Sequence, residues 1–166
     1  MALDTFLAGA HTATYNAVAL GLTQKGFEIG TTTKAQLIDE TDGYGLSVID
    51  WVYRGANCFV DFICRAWKAG PKAALAPYAG GGIGKVSSTA FPIAVLASAI
   101  AKAFVTTATA NTPAATDPAT LTGSLALLVP DFDVKWVLDS RLRDTPIRFQ
   151  LLPYVSGSDL VVFTVT

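Results

Sequence analysis

Between Asn57 and Trp67 the chain reads NCFVDFICRAW, and its residues sort by parity. Cys58, Val60, Phe62 and Cys64 fall on one side of an extended strand. Asn57, Asp61 and Arg65 fall on the other, interleaved with Phe59 and Ile63. One face is dry and the other is mixed, so the strand covers a core while its second face also meets something. The same period of two returns near the C-terminus. In TPIRFQLLPY, Ile147, Phe149 and Leu151 alternate with Arg148 and Gln150; in PDFDVKWVLDS, Phe132, Val134, Trp136 and Leu138 alternate with Asp131, Asp133 and Lys135. Repeated alternation of this kind commits the chain to β-sheet with one face buried.

The rest of the chain fills in around these strands. ATYNAVAL (residues 13–20) predicts a short hairpin with Asn16-Ala17 at its tip, since Asn tolerates left-handed backbone. GFEIGTTTKAQLIDE (residues 26–40) is β-rich, with Phe27 and Ile29 alternating ahead of a threonine run. Residues 46–53 suit either a strand or a helical turn. Gly70 to Gly84 is loop by its Gly and Pro density. Ser87-Ser88-Thr89 offers an N-cap and Pro92 suits a first helical turn. Ile93, Leu96, Ala97, Ile100 and Phe104 then follow helical spacing. That predicts a helix over about residues 90–104, apolar nearly all round and therefore buried on nearly all sides. Residues 105–123 begin as a strand and pass into a Thr/Ala/Pro loop, and a turn is expected at Ser156-Gly157-Ser158. The sum is a mainly β fold: a sandwich or small barrel of about seven strands with one flanking helix. The 166 residues fit a single domain, with 1–12 as an N-terminal arm.

Composition adds a constraint. Apolar residues make up 51% of the chain and charged residues 15%, against about 25% charged in an ordinary domain. Much apolar surface must be hidden. The best candidate for a spanning helix, between Lys85 and Lys102, contains Ser87, Ser88, Thr89, Pro92 and Ser98 and is too short and polar. The N-terminal MALDTFLAGAHTA has no basic region and carries Asp4, unlike a signal peptide. A soluble homo-oligomer is expected, with no membrane partner. A net charge of −1 excludes a basic nucleic-acid clamp. Cys58 and Cys64, six apart on one strand, are separated by roughly 20 Å, too far for a disulfide. They read as small buried hydrophobes of a reducing compartment.

Signals for chemistry are weak. GGGIGK (residues 80–85) fails as a phosphate loop, because Ala79 stands where the first glycine belongs and Val86 where a hydroxyl should meet magnesium. Asp131 and Asp133 share a strand face, but a hard cation needs about six oxygens. DETDG (residues 39–43) lacks the spacing and closing glutamate of a calcium loop. His11 has no nucleophile or orienting partner by spacing and reads as a surface residue of the arm. Asp50 lies in the apolar run around Trp51, and Arg54 is four residues on; a pair between them, or with a neighbouring subunit, sets register. No catalytic residues, cofactor or metal ligands are assigned, and the chain is not expected to be an enzyme.

The stretch GFEIGTTTKAQLIDETDGYGLSVIDWVYRGANCFVDFICRAW resembles the N-terminal region of tail tube proteins of long-tailed bacteriophages. The resemblance lies in the early strand Phe27–Ile29, the threonine strand Thr31–Thr33, Asp42-Gly43, the Ile49-Asp50-Trp51-Val52 turn, Gly55, and the strand Cys58–Trp67. DSRLRDTPIRFQLLPY resembles the closing strands of the same proteins. The resemblance implies a helix-flanked β-barrel or sandwich that closes into rings of six subunits, stacked into a tube of the virion tail. Such a subunit assembles in the host cytoplasm and has copies of itself and other tail or neck proteins as partners. Viral DNA passes the lumen without being read. A neck, baseplate or capsid decoration protein of the same fold is the alternative, and a small β-barrel enzyme or ligand-binding protein a further one. Expected at subunit interfaces are Asp42, Tyr44, Asp50, Trp51, Arg54, Ile93, Leu96 and Ile100. Expected to face the lumen are Asp61, Asp131 and Asp133, whose charge repels phosphate.

Overall fold

The fold is described from a computed structural model, for residues 10–39, 48–65, 95–109, 120–130 and 144–166. In chain order the elements are β1 (His11–Tyr15), β2 (Val18–Ala19), β3 (Thr23–Asp39), β4 (Val48–Cys64), α1 (Ala97–Ile100), β5 (Lys102–Ala108), β6 (Thr120–Leu128), β7 (Thr145–Leu151), β8 (Tyr154–Ser156), β9 (Asp159–Val161) and β10 (Thr164–Val165). One antiparallel sheet runs in the order β2-β1-β5-β6-β7-β4-β3. β10 adds to the first half of β6, opposite Leu121 and Thr122, while β7 pairs its second half, Ala126 to Leu128. β8 and β9 form a separate hairpin. The chain is therefore mainly β, as the alternation requires.

The parity of the strands is the parity of their burial. Cys58, Val60, Phe62 and Cys64 are buried, as are Ile147, Phe149 and Leu151. Neither cysteine is in a disulfide. Burial pushes the Cys58 thiol above its ordinary value, against a weaker opposite effect of the Thr31 hydroxyl, which donates to Sγ at 3.6 Å. At the centre, Phe149 stacks on Tyr15 at 4.9 Å and meets Phe62 and Phe104 at 5.6 and 5.7 Å. Phe27 reaches Phe104 at 5.8 Å. These rings come from β1, β3, β4, β5 and β7, so the sheet curls round one core. The Tyr15 hydroxyl, buried with the ring, donates to the carbonyl of Ala126 at 3.3 Å, which offsets its desolvation. The curl does not become a closed barrel: β3 and the β1–β2 pair remain opposite edges of the sheet.

The first hairpin turns where expected. Asn16 and Ala17 have φ of 51° and 61°, the two left-handed residues of a tight hairpin whose twist matches its strands. The turn at Gly157-Ser158 joins β8 to β9. Two expectations are corrected. His11 and Thr12 are not arm residues; they begin β1 and pair with Ala108 and Thr107 of β5. The helix is a single turn, Ala97–Ile100, entered from an extended Leu96 with no side-chain cap, and Lys102 to Phe104 are strand. A short helix has little to outweigh its nucleation cost. Lys102–Ala108 instead gains ladders on both edges, from β1 and β6, and buries Phe104 completely. The N-cap residues Ser87 to Thr89 and Pro92 lie outside the described residues. Among the described residues, no helix is long and apolar enough to cross a membrane.

Candidate functional site

β3 and β4 are each 17 residues long, about three times the usual strand. β7 pairs β4 only from Cys58 to Cys64. From Val48 to Asn57, β4 has β3 as its sole strand partner among the described residues. The outer part of the hairpin is thus a two-stranded ribbon that runs past the sheet for roughly 30 Å, at about 3.3 Å per residue. Ribbons of this kind are marginal in water by themselves.

A bulge decides which side chains share its faces. Lys34 lies opposite Gly55, yet Ala35 lies opposite Tyr53, so Arg54 is the extra residue. Gly55 takes φ of 109° there. In β3 the odd residues stay on the core side throughout. In β4 the core side carries the even residues from Cys64 back to Ala56 and then the odd residues Tyr53 and Trp51, because one inserted residue inverts the pleat. A second register irregularity lies between Ile38 and Asp39. Trp51 and Tyr53 therefore join Ala35 and Leu37 on the continuation of the core face. Asp50 and Val52 join Gln36 and Ile38 on the opposite face. Without the bulge, the aromatic residues would exchange places with Asp50 and Val52.

The ribbon is apolar on its core-side face and mixed on the other, where Val52 and Ile38 sit beside Asp50 and Gln36, and its large apolar side chains are exposed. Leu37 is 59% exposed, Trp51 59%, Tyr53 58%, Val52 49% and Ile38 46%. Asp50 and Arg54 are not paired with each other. The Asp50 carboxylate accepts the Trp51 backbone N–H at 2.7 Å, and an Arg54 guanidinium N–H donates to Gln36 Oε1. Arg54 thus ties the bulge across the two strands. Of the residues expected at an interface, Asp50, Trp51 and Arg54 lie on this ribbon, Trp51 on the core-side face and Asp50 on the other. Leu37, Ile38, Val52 and Tyr53 were missed; the signal for them was the long uninterrupted β pattern on either side of Asp42-Gly43. Of the other expected interface residues, Leu96 is exposed beside α1, away from the ribbon in sequence. Ile100 is instead buried against Leu127 and Ala101 of its own chain, because α1 lies on β6, and it has little surface left to offer. Asp42, Tyr44 and Ile93 lie outside the described residues.

Asp61 lies on the outer face of the sheet, in register with Glu28 on β3 and Arg148 on β7. Arg148 Nε and Nη2 donate to its two oxygens at 2.6 and 2.8 Å, a bidentate fork. This hydrogen bond, with the attraction of Asp61, holds the guanidinium above its ordinary range. The same guanidinium lies 5.8 Å from the centre of the Phe59 ring. A second fork joins Arg65 to Asp144, at 2.7 and 3.3 Å, and lowers the Asp144 carboxyl. Asp131 and Asp133 lie outside the described residues. Among the described residues, no three His, Cys, Asp or Glu side chains gather as a metal would need.

No protein-family model matches the chain, and no curated protein matches it. Fold and surface together define a class: a mainly β protein with a curled antiparallel sheet and a projecting apolar ribbon.

Proposed function

We propose that this chain is a structural subunit of a virion, a tail tube protein that assembles with copies of itself into stacked rings through which viral DNA passes. The observation that carries the reading is the outer β3–β4 ribbon, which exposes Leu37, Trp51 and Tyr53 on one face and Ile38 and Val52 on the other. Large exposed apolar surface is a mark of an interaction site. The open edge of β3 supports the same reading, because an unpaired edge is a template for another strand. A contact between unlike surfaces of identical chains generates rings where the rotation closes and filaments where it does not. The resemblance in residues 26–67 supplies the particular assembly. In this reading, the outer face of β3, β4 and β7 borders the lumen. Arg148 cancels the charge of Asp61 there and leaves Glu28 to keep the strip from gripping phosphate.

Negative-stain microscopy of the purified chain tests this. Hollow tubes or rings are expected. A chain that stays monomeric at high concentration overturns the proposal, and a small oligomer that never stacks favours a neck or decoration subunit. Trp51→Glu and Asp50→Ala are expected to impair assembly while leaving far-UV circular dichroism unchanged, since both residues are exposed.

A further inference from the structure

The unclosed seam of the sheet holds a cavity of about 570 Å³ between β1 and β3. This is within the range of small-molecule sites. Its walls contain Thr106, Phe27, Leu22, Ile29 and Lys25. Thr106 is a buried polar residue, 4% exposed, on the core face of β5, and among the described residues its hydroxyl makes no hydrogen bond. A buried hydroxyl without a partner is unfavourable and calls for an explanation. Phe27 is partly buried against the core. Leu22 and Ile29 stand at the mouth, 73% and 36% exposed. Lys25 and Gly26 are lifted out of the β3–β4 register and have φ of 63° and 76°. A lysine held in left-handed backbone is strained, and such strain gathers at functional sites. Among the described residues, no carboxylate lines the cavity.

We propose that the seam binds a small amphipathic anion. Its head group meets Lys25, its apolar body covers Leu22, Phe27 and Ile29, and a hydrogen-bonding atom reaches Thr106 Oγ1. A through-running strand from another chain fits less well, because the link from β2 into β3 crosses one end of the gap. Leu20 N–H donates to the Ala13 carbonyl there, and the Leu22 carbonyl accepts from Arg65 N–H.

Isothermal titration calorimetry of the full chain with octanoate tests the site, with octan-1-ol and octylammonium in parallel. Octanoate is expected to bind with one-to-one stoichiometry and more tightly than the other two. Lys25→Glu should weaken it by about tenfold or more, the loss of one charge-assisted hydrogen bond. Thr106→Val should weaken it, and Thr106→Ser should restore it. Octanoate binding unchanged by both Lys25→Glu and Thr106→Val places the ligand elsewhere, on the exposed ribbon for example, and overturns the proposal. Absence of binding at millimolar octanoate, or equal binding of octan-1-ol, also overturns it. So does binding that is present in the dissociated chain and lost on assembly, since a second copy then fills the seam.

Discussion

Gly55 and Gly30 sit on the same hairpin, and replacing each with alanine separates backbone strain from packing. A Cβ built on either glycine meets nothing within 4 Å. The two differ in backbone. Gly55 has φ of 109° at the bulge, whereas Gly30 lies in regular strand opposite Phe59. Alanine at Gly55 carries a backbone strain of about 1–3 kcal/mol. The reduced freedom of the unfolded chain returns about 0.4–1 kcal/mol. The net is a destabilisation of about 1–2 kcal/mol. In a chain of this size that lowers the melting temperature by roughly 2–8 °C. Gly30→Ala keeps only the second effect and should be neutral or stabilising by up to about 1 kcal/mol. Urea and thermal unfolding, followed by far-UV circular dichroism on the dissociated chain, measure both. Gly55→Ala as stable as the parent, or the two variants equally destabilised, refutes the argument that the bulge needs left-handed backbone. Assembly offers a second readout. If Gly55→Ala relieves its strain by expelling the bulge, Trp51 and Tyr53 change faces and tube formation fails.

Gly123→Ala meets the opposite difficulty. Its Cβ would lie 2.8 Å from Leu151 Cδ2 and 3.2 Å from Cδ1. Leu151 is buried and cannot swing aside freely, so a loss of about 1–3 kcal/mol is expected on urea unfolding. The Cys58 thiol, raised by burial, should resist iodoacetamide at pH 8 in the folded chain and react on unfolding; ready alkylation of native protein contradicts its placement. Because its folded value is raised, its contribution to stability is present below the ordinary thiol range and is lost as pH rises through and above it. Asp144 has the reverse sign. Arg65 lowers its carboxyl, so its contribution is present above the ordinary carboxylate range and is lost as pH falls below it. Asp144→Asn should flatten that acid limb of the stability profile, by a small amount because the pair is exposed and screened by solvent.

The two parts of the candidate surface were legible to different degrees. Trp51, Asp50 and Arg54 stand out in sequence as an apolar run interrupted by charge, and the structure gathers them on one ribbon. Their partners Leu37 and Ile38 come from a separate strand, and sequence spacing carries no information about which residue lies opposite which. The reading of Asp50 and Arg54 as a pair rested on one helical turn or on a strand with unbroken alternation. The stretch is strand and the bulge at Arg54 breaks its alternation, so each group finds a nearer partner instead.

What the sequence by itself determined is the mainly β class and the dry faces of the strands at 57–64 and 145–151. Alternation over 57–64 and 145–151 is a local property: a pleated strand with one face in a core has to read this way, and burial follows the parity residue by residue. The Asn16-Ala17 turn is local too, since it depends on two backbone conformations. Tertiary structure alone decided the rest. Residues 102–104 could extend a helix until β1 and β6 offer them ladders on both edges. The phase of Trp51 and Tyr53 depends on one inserted residue, visible only against the partner strand. The seam between β1 and β3 exists because a sheet curled round five aromatic rings stops short of closing. Each of these is a choice between alternatives that local preference leaves nearly equal in energy, and contacts distant in sequence settle it.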